Sequence, residues 1–270
     1  MSQENQQDAI SRRMVVLQVP GEDDVEIRRD AKYRVTDDGT LSMDVYYPPD
    51  SKSGSRMPVV VFVFGYPDLT MKAMIGSKLK EMGQYISWGR LMAASGLVAI
   101  TYETREPTAD IHELLAYVRQ NASSLGVDEN RIGVWACSGN VPMALSVLMQ
   151  EKDDYLKCAV LYYGFMFDCE GSNKVAEAAE TVGFVNPCVG KTVDDLPMDV
   201  PMFIVRAGQD NPRLNETIDR FLGKAVVRNM PVTLTNYSDG PHAFDILDDS
   251  EASREIIRQT LAFMRFHLLA

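Results

Sequence analysis

The chain has 270 residues, with 27 Lys and Arg against 38 Asp and Glu, a formal net charge of −11, and 46% hydrophobic and 24% charged residues. That mixture supplies apolar material for a large core and excludes disorder of the whole chain, and the length suits one α/β domain spanning residues 1–270. An acidic surface repels phosphate backbones and anionic headgroups, so neither nucleic acid nor a membrane surface is an expected partner.

Residues 1–12 are polar and expected to fray. They hold no apolar segment after a basic start, so no signal peptide is read there. From Met14 to about Val35, apolar and charged residues alternate, as in antiparallel edge strands, and Leu41–Tyr47 alternates again before Pro48-Pro49 ends it. After a polar loop at Asp50–Arg56 the pattern changes. Val59–Phe64 is continuously apolar, as expected of a strand covered on both faces of a parallel sheet. Similar runs recur at Leu97–Tyr102, Ile132–Cys137, Ala159–Tyr163 and Met202–Val205, and Val232–Tyr237 is the last strand-like run. Between them, helices are predicted over Trp88–Ala94, Ile111–Leu125, Val141–Met149 and Leu214–Val227, with Ser250–Leu269 closing the chain. This alternation predicts an α/β fold: a mostly parallel central sheet with helices on both faces and antiparallel strands at its N-terminal edge. Leu69–Ser87 and Phe165–Asp199 fit the alternation poorly. As insertions after strands they are candidate pocket walls, the second (165–199) a candidate small cap or plain surface decoration.

The cysteines, Cys137, Cys158, Cys169 and Cys188, show no CxxC pair and no metal-ligand spacing, so no metal or cofactor is expected. Cys137 and Cys158 lie in apolar strand runs, and Cys169 with Cys188 could pair across a loop. Reduced thiols, no leader and no run long enough to span a bilayer make a cytoplasmic location the expectation.

Chemistry concentrates at Arg131–Asn140, where an apolar strand ends at Ser138 among small residues and a helix begins at once. A nucleophile elbow needs this arrangement: a strained turn exposes the hydroxyl, and the next amide faces the reacting carbonyl. The flanking pattern is Ala136-x-Ser138-x-Asn140 in place of G-x-S-x-G, and Asn140 is the larger departure because that site packs tightly. Of three histidines, His112 and His267 fall inside helices, while His242 lies in the loop after the last strand, the place for a base. Asp210 follows a strand and a glycine turn, as an orienting acid or a helix cap. The chain order Ser138, Asp210, His242 is that of α/β-hydrolases. Backbone amides of Gly139 and of Tyr66 or Gly65, in the loop after Val59–Phe64, are the candidate oxyanion donors. Met71, Met74 and Met82 suit either core packing or an adaptable apolar pocket; no substrate-binding residue is otherwise assigned.

At these residues, with Ala116–Ala122, Leu125–Asp128 and Gly240-Pro241-His242-Ala243-Phe244-Asp245 in support, the chain resembles the dienelactone hydrolase-like and carboxylesterase branch of the α/β-hydrolases. The resemblance implies a serine hydrolase that cleaves small carboxylic esters through an acyl-enzyme, working as a monomer or homodimer. Dienelactone hydrolases carry cysteine where this chain has Ser138, which favours ester over dienelactone chemistry. Acyl-peptide hydrolysis, or a catalytically silent binding protein on the same fold, are the alternatives; Asn140 and a Phe64-Gly65 in place of His-Gly support the silent reading.

Overall fold

The computed structural model describes residues 10–49, 51, 56–151, 154–168 and 171–270. Eight strands, β1 (Glu26–Thr36), β2 (Gly39–Tyr47), β3 (Met57–Phe62), β4 (Val98–Tyr102), β5 (Val127–Cys137), β6 (Leu156–Tyr162), β7 (Met202–Ala207) and β8 (Val232–Tyr237), form one sheet in the order β1-β2-β4-β3-β5-β6-β7-β8. β2 runs antiparallel to β1 and β4, and the other pairings are parallel. The uninterrupted apolar runs occupy the middle of the sheet, where Val59, Val60, Val61, Val98, Ile100, Val134 and Val160 are wholly buried. β1 and β8 stand at the edges and keep polar residues in solvent.

The helices are α1 (Asp68–Ile75), α2 (Gly83–Ala94), α3 (Pro107–Gln120), α4 (Ala122–Leu125), α5 (Val141–Gln150), α6 (Lys174–Val182), α7 (Pro212–Val227), α8 (Phe244–Leu247) and α9 (Glu251–Leu269). β3 lies between β4 and β5, so the chain leaves β3 in one direction along the sheet and β5 in the other. The crevice at the carboxyl ends of β3 and β5 is the switch point where ligands bind in such sheets.

Three expectations are corrected. Strand structure does not begin near Met14: Val15 and Leu17 are buried, but the amides of Val15 and Val16 bond to the Ser87 side chain and the Asp245 carbonyl, and pairing starts only at Glu26. Residues 10–12 are not a frayed end, since Ile10 and Ser11 form a helical turn; residues 1–9 lie outside the described residues. The Leu69–Ser87 excursion is mostly helical, holding most of α1, a 3-10 turn at Leu79–Glu81 and the first residues of α2. Most of the Asp50–Arg56 loop and Cys169 lie outside the described residues. Cys188, the other half of the suggested pair, donates its thiol to the Pro142 carbonyl. Among the described residues no helix is long and apolar enough to cross a membrane.

Candidate active site

β5 ends at Cys137, and Ser138 takes a left-handed backbone conformation, φ 54°, before a 3-10 turn over Ser138–Asn140 leads into α5. A non-glycine residue held there stores about 1–3 kcal/mol of strain. It is the geometry that lifts a serine hydroxyl out of a strand end and sets the helix N-terminus behind it. Gly139 is required by close packing: a Cβ there would overlap the Tyr66 hydroxyl and stand 2.7 Å from the Phe184 ring.

Asn140, the residue that departs from the usual elbow, is 3% exposed and bridges two elements. Its Oδ1 accepts the Gly65 N–H at 2.7 Å, and its Nδ2 donates to the Tyr85 hydroxyl at 2.9 Å. The elbow is thereby bolted to the loop after β3 and to α2. The Gly65 amide is consumed in this bond, which corrects its expected availability as an oxyanion donor. Among the described residues no hydrogen bond takes up the amides of Tyr66 or Gly139. The 165–199 excursion braces the same loop from outside: the Val185 N–H donates to the Gly65 carbonyl at 2.8 Å, and Phe184 packs edge-on against Tyr66. It also walls a separate groove of about 430 Å³ with Asn211 and Arg213 at the start of α7.

The other two predicted residues meet. His242 Nδ1 and Asp210 Oδ2 are 2.6 Å apart; the Asp210 side chain is 5% exposed and that of His242 42%. The turns that carry them are joined backbone to backbone, Gly208 N–H to the Tyr237 carbonyl (2.7 Å) and Gln209 N–H to the Gly240 carbonyl (3.0 Å). Asp210 also accepts the Asn211 N–H at 2.6 Å, while the cap of α7 is the Asn211 side chain, which accepts the Arg213 N–H. Asp210 Oδ2 is thus left to the imidazole, fixing the proton on Nδ1 and leaving Nε2 as the acceptor. His112 instead bonds Glu151, and His267 meets the Phe263 and Phe266 rings edge-on.

Ser138 and His242 line one cavity of about 290 Å³, although no hydrogen bond joins them among the described residues. Met71, Met74 and Met82 line it too, while packing against the core. Cys137 also lines the cavity; its thiol lies 3.4 Å from the Tyr85 hydroxyl, and burial pushes it up to about 12. Beneath His242 lies a polar group that sequence reasoning missed. The fully buried Asp245 accepts from Tyr163 Oη (2.6 Å), Gln84 Nε2 (2.8 Å) and Trp88 Nε1 (2.8 Å), and burial raises its pKa above the ordinary carboxylate value. The Tyr163 ring meets the His242 ring edge-on at 4.9 Å. Its sequence signal is a lone carboxylate inside Phe244-Asp245-Ile246-Leu247, an otherwise apolar turn.

No protein-family model and no curated protein sequence matches the chain. Solved structures do. Esterase 2 of the planctomycete Thermogutta terrifontis superposes with a TM-score of 0.70 at 22% identity, covering 92% of each chain. Its propionate-bound form gives 0.68 at 22% identity over 92% of this chain and 97% of that one. A bacterial heroin esterase gives 0.68 at 14% identity over 94% of this chain and 87% of its own. With the strand order, the elbow after β5 and these superpositions together, the chain has the α/β-hydrolase fold.

Proposed function

We propose that the chain is a serine carboxylesterase acting on small esters, with Ser138 as nucleophile, His242 as base and Asp210 as the orienting acid. The hydrogen bond between Asp210 and His242, on the wall of the cavity that Ser138 also lines, carries this reading. His242 Nε2 takes the Ser138 proton as Oγ attacks the ester carbonyl, and the imidazolium is stabilised by Asp210. The amides of Gly139 and Tyr66 receive the oxyanion, each worth about 3 kcal/mol in comparable sites. The imidazolium then protonates the leaving alcohol, and His242 activates water to release the acid and regenerate Ser138.

Related structures described as esterases, one of them holding propionate, support an acyl site for small carboxylates. Dienelactone chemistry is disfavoured because the nucleophile position is a serine and the adjacent thiol is suppressed by burial. The silent-scaffold reading loses its main support, since Asn140 braces the elbow rather than blocking it. The free buried thiols Cys137, Cys158 and Cys188 suit a reducing, cytoplasmic setting. The test is hydrolysis of p-nitrophenyl acetate by the wild type and by Ser138→Ala. The variant is expected to lose at least about 10³-fold in kcat with its fold intact; activity near that of the wild type would overturn the assignment.

A further inference from the structure

The N-terminal segment lies where no hydrolytic chemistry is expected, yet its first described residue, Ile10, forms part of the wall of the cavity holding Ser138 and His242. We propose that residues 10–17 are a fixed strap whose Ile10 closes the acyl pocket and sets the longest acyl chain the enzyme accepts; this rests on the esterase reading above.

Three observations fix the strap. Val15 N–H donates to Ser87 Oγ at 2.9 Å, and Val16 N–H to the Asp245 carbonyl at 2.8 Å. Gly83, at the start of α2, packs so tightly under the strap that a Cβ there would stand 2.7 Å from the Arg13 carbonyl and 2.8 Å from that of Arg12. Val15 and Leu17 are buried in the main core. The segment is therefore clamped to α2 on one side and to α8, which follows His242, on the other. Such anchoring gives a wall of fixed position.

The chemistry of the wall names the substrate portion it meets. Ile10 shares it with Met71, Met74, Met82, Ile246 and Leu247, all apolar, and among the described lining residues there is no Asp, Glu, Lys or Arg. Two of its polar members are already occupied: Gln84 donates to Tyr163 and to Asp245 behind the wall, and Asn140 donates to Tyr85. An uncharged aliphatic acyl chain is what this surface accepts. At about 290 Å³ the cavity lies at the lower edge of ligand-pocket sizes, which suits a short chain.

The experiment is kcat/KM on p-nitrophenyl esters from acetate to decanoate for the wild type, Ile10→Ala, Ile10→Val and Ile10→Trp, each checked for cooperative thermal unfolding. The readout is the ratio of the octanoate to the acetate value, which is internal to each variant. For the wild type, kcat/KM is expected to climb by about fourfold per buried methylene and then fall once the chain meets the wall. Ile10→Ala is expected to raise the octanoate-to-acetate ratio by about tenfold or more, Ile10→Val by less, and Ile10→Trp to lower it. An unchanged ratio in active Ala and Trp variants would overturn the strap while leaving the esterase intact. A wild type that cleaves no member of the series would overturn the esterase reading, and the strap with it.

Discussion

Asn140 replaces the glycine of the usual elbow, and its two hydrogen bonds explain how a larger side chain is tolerated there. Asn140→Ala leaves the buried Gly65 amide without its acceptor, a loss of about 1–3 kcal/mol, and takes a donor from the Tyr85 hydroxyl, which keeps its contact with Cys137 and loses less. Urea unfolding is expected to show about 2–4 kcal/mol of destabilisation, with a fall in kcat because the Tyr66 loop is no longer tied to the elbow. A change below about 0.5 kcal/mol, the range of neutral surface substitutions, would contradict the bridge. Cys137 offers a second check at this scale. Its thiol, pushed up to about 12 by burial, is almost wholly protonated at pH 8. Iodoacetamide at that pH is expected to leave hydrolysis of p-nitrophenyl acetate unchanged; rapid inactivation with labelling of Cys137 would bring back a cysteine nucleophile. The placement of Ser138, Asp210 and His242 after the ends of three strands was legible in the sequence because each strand-like run is recognisable. The fate of the Gly65 amide was not, since its partner is a side chain 75 residues away.

The short helix α8 follows His242 directly, with Ala243 in a left-handed conformation at its start. Asp245 nails this turn to α2 through Gln84 and Trp88 and to the end of β6 through Tyr163. Asp245→Ala removes the acceptor of three buried donors, and a loss of at least about 3 kcal/mol is expected on denaturant unfolding. The catalytic signature of the same variant is a drop in kcat larger than any rise in KM, as the imidazole loses its seat; full kcat in a folded variant would show that α8 holds its place without this anchor. Sequence periodicity found α5, α7 and α9 because each carries a continuous apolar stripe. It missed α1 and the first turn of α2: the former buries only Met71, and the latter buries Tyr85 beside Gly83 and Gln84, which carry no apolar signature. The N-terminal segment was misjudged for a related reason. Its alternation is real, but its amides bond a side chain and a helix carbonyl rather than a strand.

At the scale of the molecule, the central parallel strands were legible because burial on both faces leaves an unbroken hydrophobic signature, and the antiparallel edge was legible but for its start. The strand order was not, since nothing local says that β3 lies between β4 and β5. That order places the elbow beside the loop that begins with Gly65 and ends at Asp68. The Asp68 carboxyl is raised to about 6, chiefly by burial, and its Oδ1 has no partner among the described residues. The unfolded chain holds this group near the ordinary aspartate value of about 3.9. Between those values the folded state binds the extra proton, so this residue's contribution to stability falls as pH rises through the window and is least favourable above about 6. Asp68→Asn is therefore expected to raise Tm at pH 8 and to change it little at pH 4. An equal shift at both pH values would locate the effect elsewhere. Activation of Ser138 by His242 and Asp210 can be read by treating the folded protein with a fluorophosphonate and mapping the adduct by peptide mass spectrometry. One adduct per chain is expected, on Ser138 and suppressed in His242→Ala; an unlabelled protein, or an adduct on another residue, would rule out Ser138 as the nucleophile.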